Sequence, residues 1–454
     1  MNDAISKGNG QATSRRSFLG AAVGAAAFSV VPRYVLGGPG EKPPSERLNI
    51  AGVGLHYVGA RNLGKLESEN IVALCDVDTR WTDKAAEKWP KARKWKDYRR
   101  MLEEQKDIEG VIVATPDHWH AIITSMAMKL GKHVYTQKPL TQNVWEARQL
   151  QKIARETGVV TQMGHQGHSG NGTRRVVEWI RAGTIGTVRE VHCWSPKPAG
   201  SWEQGSVKTP EAPVPAALDW DMWVGPAEMR PYSPVYHPFT WRGFWDFGGG
   251  ALGDMGCHIM NAAWWALDLA APTAVEACST KVYEETACDA SVVHYEFPAR
   301  GKRPALDLYW YDGGLKPPRP IVMERDRKLR NSGTLFVGED GCLSCGTYGT
   351  DPMLIPASRM ENFDSPPETI PRVNYGKGDI EWQHEHNWAH AAKEGTKAVS
   401  DFEYACPLAE AVQLGNVAVR TRRRIEWDAE NLRVTNVPEA NKLVHPEYRG
   451  EWSL

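Results

Sequence analysis

The sequence predicts an α/β protein in two parts, a parallel sheet wound with crossover helices followed by a larger, mostly antiparallel open sheet. Three observations predict it. Short apolar runs alternate with helical patterns up to about residue 162, and the first run ends in a glycine turn. Beyond residue 164 the texture changes to strand-like runs, broken by a stretch rich in Trp, Pro and Gly. With 454 residues the chain can build two sizeable cores. Its 54 Lys plus Arg balance 55 Asp plus Glu, and no basic stripe stands out, which argues against nucleic acid as a partner.

The first 45 residues read as a leader and linker. Ser14-Arg15-Arg16-Ser17-Phe18-Leu19 precedes an apolar run over 20–31, the pattern of a twin-arginine export signal. Gly20 stands where a basic residue is usual, and an ordinary secretion signal or an anchor is the competing reading. The run is short for a membrane span. The expectation is export to the periplasm, with no stable membrane insertion unless the signal is retained.

Strands are expected over 48–53, 71–75, 110–114, 133–135 and 159–163, with helices between them, such as 117–130 and 143–156. These make a first domain over 46–164. A second domain, 165–426, opens with a helix over 173–182. Strands at 188–194, 274–283, 291–297, 305–311 and 333–337 follow, then helices at 385–394 and 408–420. Residues 427–454 read as an irregular tail. The stretch 196–250 is too long for a plain connection, so it is either functional or an assembly arm. Most of its tryptophans read as core or interface, and a few as platforms for sugar rings. The eight cysteines are too scattered for a disulfide scaffold. Cys342-x-x-Cys345 lacks a second pair at zinc spacing, and no metal is expected.

Ile50-Ala51-Gly52-Val53-Gly54 closes the first strand, and Gly59 follows near a helix start. Glycines there let the backbone approach a pyrophosphate lying on a helix N-terminus. Tyr57 stands where G-x-G-x-x-G would put its third glycine. Asp76 ends the second strand, 24 residues after Gly52. A carboxylate at that place accepts from adenosine ribose hydroxyls and repels a 2′-phosphate, favouring NAD over NADP. The competing role for Asp76 is a turn cap. Thr115 and Pro116, in Ala114-Thr115-Pro116-Asp117-His118-Trp119-His120, lie at the edge where such a cofactor runs. His118 or His120 can then approach nicotinamide or substrate, whereas Asp117 reads as a helix cap.

Lys138-Pro139 follows a short apolar strand and holds an ammonium at the carboxyl edge of the first sheet, where open α/β folds place ligands. Asp254 and His258 are four apart in an apolar helix pattern, so they share one helix face. A histidine near neutrality suits removal of a hydroxyl proton, and a lysine suits an alkoxide oxygen. The competing reading is a helix-start carboxylate and a packed histidine. His165 and His168, after the last strand of the first domain, are candidate substrate contacts, with metal ligation beside Asp254 or His258 as the weaker reading. His384-Glu385-His386 reads as helix capping.

In that order, the glycine turn, the acidic end of strand two, Ala-Thr-Pro, Lys-Pro and Asp-x-x-x-His resemble the Gfo/Idh/MocA oxidoreductases. The resemblance implies a Rossmann domain and an α/β domain whose open sheet packs in oligomers, as a homodimer or homotetramer. It also implies that Lys138 is the catalytic lysine, His258 the base and Asp254 its substrate-binding neighbour. Gln137 replaces the glutamate usual before Lys-Pro in that family. The expected activity is NAD-dependent oxidation of a secondary alcohol of a sugar, glycoside or polyol. The alternative is a redox-neutral glycoside hydrolase on the same fold. Export implies a tightly held, internally recycled NAD, because the periplasm offers no obvious pool to exchange with.

Overall fold

The computed structural model describes residues 46–376 and 378–454, so the twin-arginine stretch lies outside the described residues. Residues 48–454 form one compact unit. Its first sheet has six strands, β1 (Asn49–Val53), β2 (Asn70–Cys75), β3 (Arg93–Trp95), β4 (Gly110–Val113), β5 (His133–Gln137) and β6 (Thr161–Gly164). They run in the order β3-β2-β1-β4-β5-β6, every pair parallel. β4 is buried throughout and β1 nearly so, as expected of strands covered on both faces by crossover helices. The chain winds outward from β1 to β3, then returns to β4. Strand order therefore reverses between β1 and β4, and a crevice opens at their carboxyl ends.

The helix Val144–Thr157 shows how local sequence sets its start. Asn143 accepts from the Glu146 backbone N–H at 3.0 Å, and Glu146 reaches back to the Asn143 N–H. β3 was not expected, because its three residues, two of them exposed, carry no apolar run.

The second sheet holds β7 (Val188–Trp194), β8 (Ala274–Ser279), β9 (Ser291–Phe297), β10 (Leu306–Tyr311), β11 (Gly333–Gly338), β12 (Gly341–Cys345), β13 (Met353–Ile355), β14 (Ile425–Asp428) and β15 (Arg433–Val434). The order is β13-β12-β11-β7-β10-β9-β8-β14-β15, and only β7 with β10 is parallel. β9 alternates strictly, with Val293, Tyr295 and Phe297 buried and Val292, His294 and Glu296 half-buried. The apolar face packs on the helix Phe402–Thr421. That helix begins six residues before the expected 408, capped by Asp401 despite Pro407 in its second turn.

Of the two expectations for the stretch 196–250, a functional part or an assembly arm, residues 196–249 form no extended arm but a wall of the crevice. Trp220, Trp223, Tyr236, Trp241, Phe244 and Phe247 give it a core of its own. Backbone bonds seat it at the end of β2, Thr79 N–H to the Ala217 carbonyl and Asp219 N–H to the Val77 carbonyl, both 3.0 Å. The tail is not irregular. It supplies β15 and the short helix Asn441–Val444, and it docks beyond them. Tyr448 Oη donates to Glu146 Oε1 at 2.6 Å, Arg449 Nε donates to the Gly225 carbonyl at 2.9 Å, and Trp452 meets Trp119 edge-on at 4.8 Å.

Candidate active site

A cavity occupies the crevice between β1 and β4, running from Asp76 and Trp81 to Lys138 and Asp254. One wall is the first sheet. The other is the 196–249 segment, through Met222, Trp223, His237 and Arg242.

Close packing requires the glycines at the near end. Gly54 has φ +80°, and a Cβ there would lie 2.7 Å from the Ala114 carbonyl. A Cβ on Gly59 would lie 1.7 Å from the Gly54 oxygen, and one on Gly52 would lie 2.5 Å from Leu63 Cδ1. Gly54 faces the cavity, while Gly52 and Gly59 let the strand, loop and helix Val58–Lys65 touch. Tyr57, at the position of the missing glycine, takes φ +46° at the helix start and lines the cavity.

Asp76 caps the turn and also stands on the cavity wall. Its Oδ2 accepts from Leu55 N–H at 2.7 Å and its Oδ1 from Asp78 N–H at 2.9 Å. Burial raises its carboxyl to about 6 against the pull of those amides, so it is mostly ionised at neutral pH. Next to it, Asp78 bonds His237 of the covering segment at 3.0 Å. Two buried cavity-wall atoms, Trp81 Nε1 and Thr115 Oγ1, have no partner among the described residues. A carboxylate, an orphaned donor and an orphaned hydroxyl beside a glycine turn fit a dinucleotide. Thr115 and Pro116 both line the cavity.

At the far end Lys138 Nζ donates to Asp254 Oδ1 at 2.8 Å and to the Asp254 carbonyl at 2.9 Å. Asp254 sits on the helix Gly250–Ile259, which the 248–250 glycines bring close to the covering segment. Arg242 Nε lies 3.6 Å from the same carboxylate oxygen. Burial alone would raise this carboxyl, but Lys138 and then Arg242 outweigh it and hold it at about 2. His258 follows one turn along the helix, buried, with Nδ1 lacking a partner among the described residues. Burial, then Lys138, push its pKa well below 6.5, so the imidazole is neutral. Tyr348 meets it edge-on at 5.0 Å. His258 is not on the wall of the cavity itself, which reaches Asp254.

Several expected contacts fall elsewhere. His118 turns away from the crevice, its Nε2 3.0 Å from the Trp223 carbonyl and its ring against Phe247, so it anchors the covering segment. His120 does line the cavity, but its ring is held between the Pro139 and Thr115 carbonyls at 2.7 and 2.9 Å. His165 and His168 are buried behind the site and line no part of the cavity. Both converge on Asn261 Oδ1, at 3.1 and 2.9 Å, and His168 stacks on Trp265, so they are braces rather than substrate contacts. His384 is no cap. Asp379 caps that helix, and His384 is buried between Ser169 Oγ and the Met163 carbonyl at 2.7 and 2.8 Å.

Other groups were missed. Asp117, read as a cap, is buried on the cavity wall. Burial pushes its carboxyl up to about 8 against Lys138 and Arg242. Gln137 Nε2 donates to Asn62 Oδ1 at 2.9 Å, Asn62 Nδ2 donates to Glu385 Oε1 at 2.5 Å, and Tyr135 Oη reaches the same oxygen at 3.3 Å. A buried acid from a distant helix thus stands behind the amide that precedes Lys138. No local pattern announces Arg242, Tyr348 or Glu385, since each reaches the site by tertiary packing. Among the described residues no group of three or more metal-ligating side chains forms.

Comparison with known proteins agrees with this architecture. Residues 48–165 match the model of an oxidoreductase family with an NAD-binding Rossmann fold, and residues 187–299 match its C-terminal α/β domain. A glycosyl hydrolase family 109 protein of Akkermansia muciniphila is 25% identical over 158 residues, 32% of this chain and 33% of that protein. An alpha-N-acetylgalactosaminidase of Shewanella oneidensis is 28% identical over 182 residues, 37% of this chain and 39% of that protein. The matched part thus spans under half the length of these curated relatives. A levoglucosan dehydrogenase in complex with NADH and levoglucosan superimposes with TM-score 0.56 at 16% identity, over 84% of this chain and 99% of that one. An aldose-aldose oxidoreductase from Caulobacter crescentus gives TM-score 0.54 at 16% identity, over 84% and 100%. At such identities the likeness is one of fold. With a glycine turn and Asp76 at one end of the crevice, Lys138 and Asp254 at the other, and the two family models covering the first sheet and β7, β8 and β9 of the second, the chain belongs to the Gfo/Idh/MocA oxidoreductases.

Proposed function

We propose that this protein is an NAD-dependent oxidoreductase acting on a secondary alcohol of a sugar, glycoside or polyol, and that it keeps its cofactor between turnovers. The observation that carries the reading is a single cavity joining the glycine turn and Asp76 to the Lys138–Asp254 pair. Bound NAD would supply a hydride acceptor for the alcohol carbon. An ammonium has three donors, and Lys138 commits two to Asp254, leaving one for the alcohol oxygen as negative charge develops there. We assign the hydroxyl proton to His258, one helix turn behind Asp254 and off the cavity wall, and a ketone remains. Asp254, ionised throughout the neutral range, orients a neighbouring hydroxyl. Asp76 accepts from the adenosine ribose, with Gly54, Thr115 and Pro116 beside the cofactor.

The 196–249 segment covers the crevice and is tied down through Asp78–His237 and the docked tail, which supports a retained cofactor. Retention agrees with the twin-arginine pattern and with a periplasmic location. The half-buried outer face of the second sheet, where Tyr309 stacks on His294 at 4.5 Å, supports packing of that sheet in a homodimer or homotetramer.

A second reading, a glycoside hydrolase cycling through oxidation, elimination and reduction, is favoured by the curated relatives named as glycosyl hydrolase family 109 proteins. Product analysis on 4-nitrophenyl glycosides separates the two. A keto sugar with reduced NAD supports the oxidoreductase, and released nitrophenol with no net redox change supports the hydrolase. Neither product, with a sugar panel that leaves bound NAD oxidised, would overturn both.

A further inference from the structure

The Lys138 end of the site carries more positive charge than its acids balance. Two cations meet Asp254, Lys138 at 2.8 Å and Arg242 at 3.6 Å, and the charge of a third, Lys197, is felt there too. Lys138 follows β5, Arg242 lies in the 3-10 turn Thr240–Gly243, and Lys197 follows β7. Burial lowers the Lys197 ammonium from its ordinary value, with Asp254 opposing that shift and Lys138 and Arg242 adding to it. Lys197 makes no ion pair among the described residues, its Nζ meeting Ser201 Oγ beside Trp202. Asp117, the other carboxyl on this wall, holds its proton at neutral pH. His258 and His120 are neutral there. The Glu381–Arg61 pair, at 3.1 Å, cancels itself. Lys138 and Arg242 therefore share the single Asp254 carboxylate.

Arg242 is built to receive rather than merely to balance. Its guanidinium lies 4.4 Å over Phe239 and 4.2 Å over Trp241, which fixes its plane. Its Nη1 donates to the Phe239 carbonyl at 3.2 Å and its Nε faces Asp254 at 3.6 Å. Its Nη2 has no partner among the described residues, and the residue lines the cavity. A planar, pre-oriented guanidinium with a free edge in a half-enclosed site matches an oxyanion.

We infer that the substrate is an anionic sugar, bearing a carboxylate or a sulfate ester, with the oxyanion seated on Arg242 and Lys197 close by. This rests on the sugar-oxidising reading above and narrows it. The anion relieves the excess of partly desolvated positive charge and fixes which face of the sugar meets Lys138.

The test is calorimetric binding of sodium D-glucuronate, D-glucose 6-sulfate and D-glucose to the NAD-loaded protein at constant ionic strength, with absorbance of the bound NAD recorded in parallel. A charge-assisted pair in this setting gives about tenfold or more in affinity, so at least one acidic sugar binds that much more tightly than D-glucose. The two acidic arms distinguish carboxylate from sulfate. Arg242→Gln brings the ratio close to unity with NAD content retained, and Lys197→Gln lowers it several-fold. Equal or tighter binding of D-glucose, or no binding of either acid, overturns the inference. So does an Arg242→Gln protein that loses NAD while keeping the ratio, since Arg242 would then serve the cofactor. Tight acid binding without any NAD reduction supports the anion site and overturns the oxidoreductase reading instead. Reduction by D-glucose without acid preference does the reverse.

Discussion

The buried acid behind Gln137 has a stability signature that can be worked through. Glu385 is 1% exposed, its Oε1 accepts from Asn62 and Tyr135, and its Oε2 has no partner among the described residues. Burial raises its carboxyl from 4.5 to about 8, with the charge of Glu381 adding and the bonds from Asn62 and Tyr135 opposing. Between those values the folded chain holds a proton that the unfolded chain has released. Stability therefore falls as pH rises through this window. Integrating one proton between about pH 5 and about pH 7.5 gives about 3 kcal/mol lost by the native protein. Glu385→Gln keeps the shape and the acceptor for Asn62 but cannot ionise. The difference in unfolding free energy between variant and native protein should thus move in the variant's favour by about 3 kcal/mol over that interval. Urea unfolding of both proteins at several pH values, followed by tryptophan fluorescence, measures it. A difference that stays flat within about 0.5 kcal/mol would show that Glu385 ionises normally in the fold and that the reasoning is wrong.

Other outcomes follow from the same contacts. Lys138→Met removes the donor to the reacting oxygen. It should lower the rate of NAD reduction by about 10³-fold or more in single turnover while leaving NAD content near that of the native protein. Asp254→Asn leaves Lys138 and Arg242 facing each other without a counter-charge, and it should cost about 2 kcal/mol in urea unfolding at neutral pH. Wild-type rates should fall only at strongly acidic pH as far as Asp254 is concerned, since its lowered carboxyl stays ionised above about 2. Gly59→Ala forces a methyl to 1.7 Å from the Gly54 oxygen, so the loop must shift, and purified variant should carry little nucleotide by absorbance.

Much of the first sheet was legible because buried parallel strands read as apolar runs between amphipathic helices, and residues 48–53 and 110–114 fell within a residue of β1 and β4. β7 and β9 were likewise placed as expected, the period of two in Ser291–Phe297 being strict. β3, β13, β14 and β15 escaped, being two to four residues long and made by pairing rather than by pattern. At the site, Lys138, Asp76, Thr115 and Pro116 were found from their places at strand ends and Asp254 from its four-residue spacing to His258, and the cavity gathers these five. The histidines misled. A histidine beside a cleft looks chemical in sequence, yet His118, His165 and His168 are buried and bonded to protein groups, because the sequence does not tell which way a ring turns. Arg242 and the Asn62–Glu385 pair could not be read, since Arg242 depends on how a 50-residue segment folds back and Glu385 stands 323 positions from Asn62.

The measurement that bears most directly on the central claim is the nucleotide content of protein purified without added NAD. Heat release followed by mass spectrometry and absorbance should recover about one NAD per chain, since the covering segment and its Asp78–His237 tie close the crevice. A cofactor-free preparation that binds added NAD only with a dissociation constant near 1 mM, about −4 kcal/mol, would contradict a retained, internally recycled cofactor.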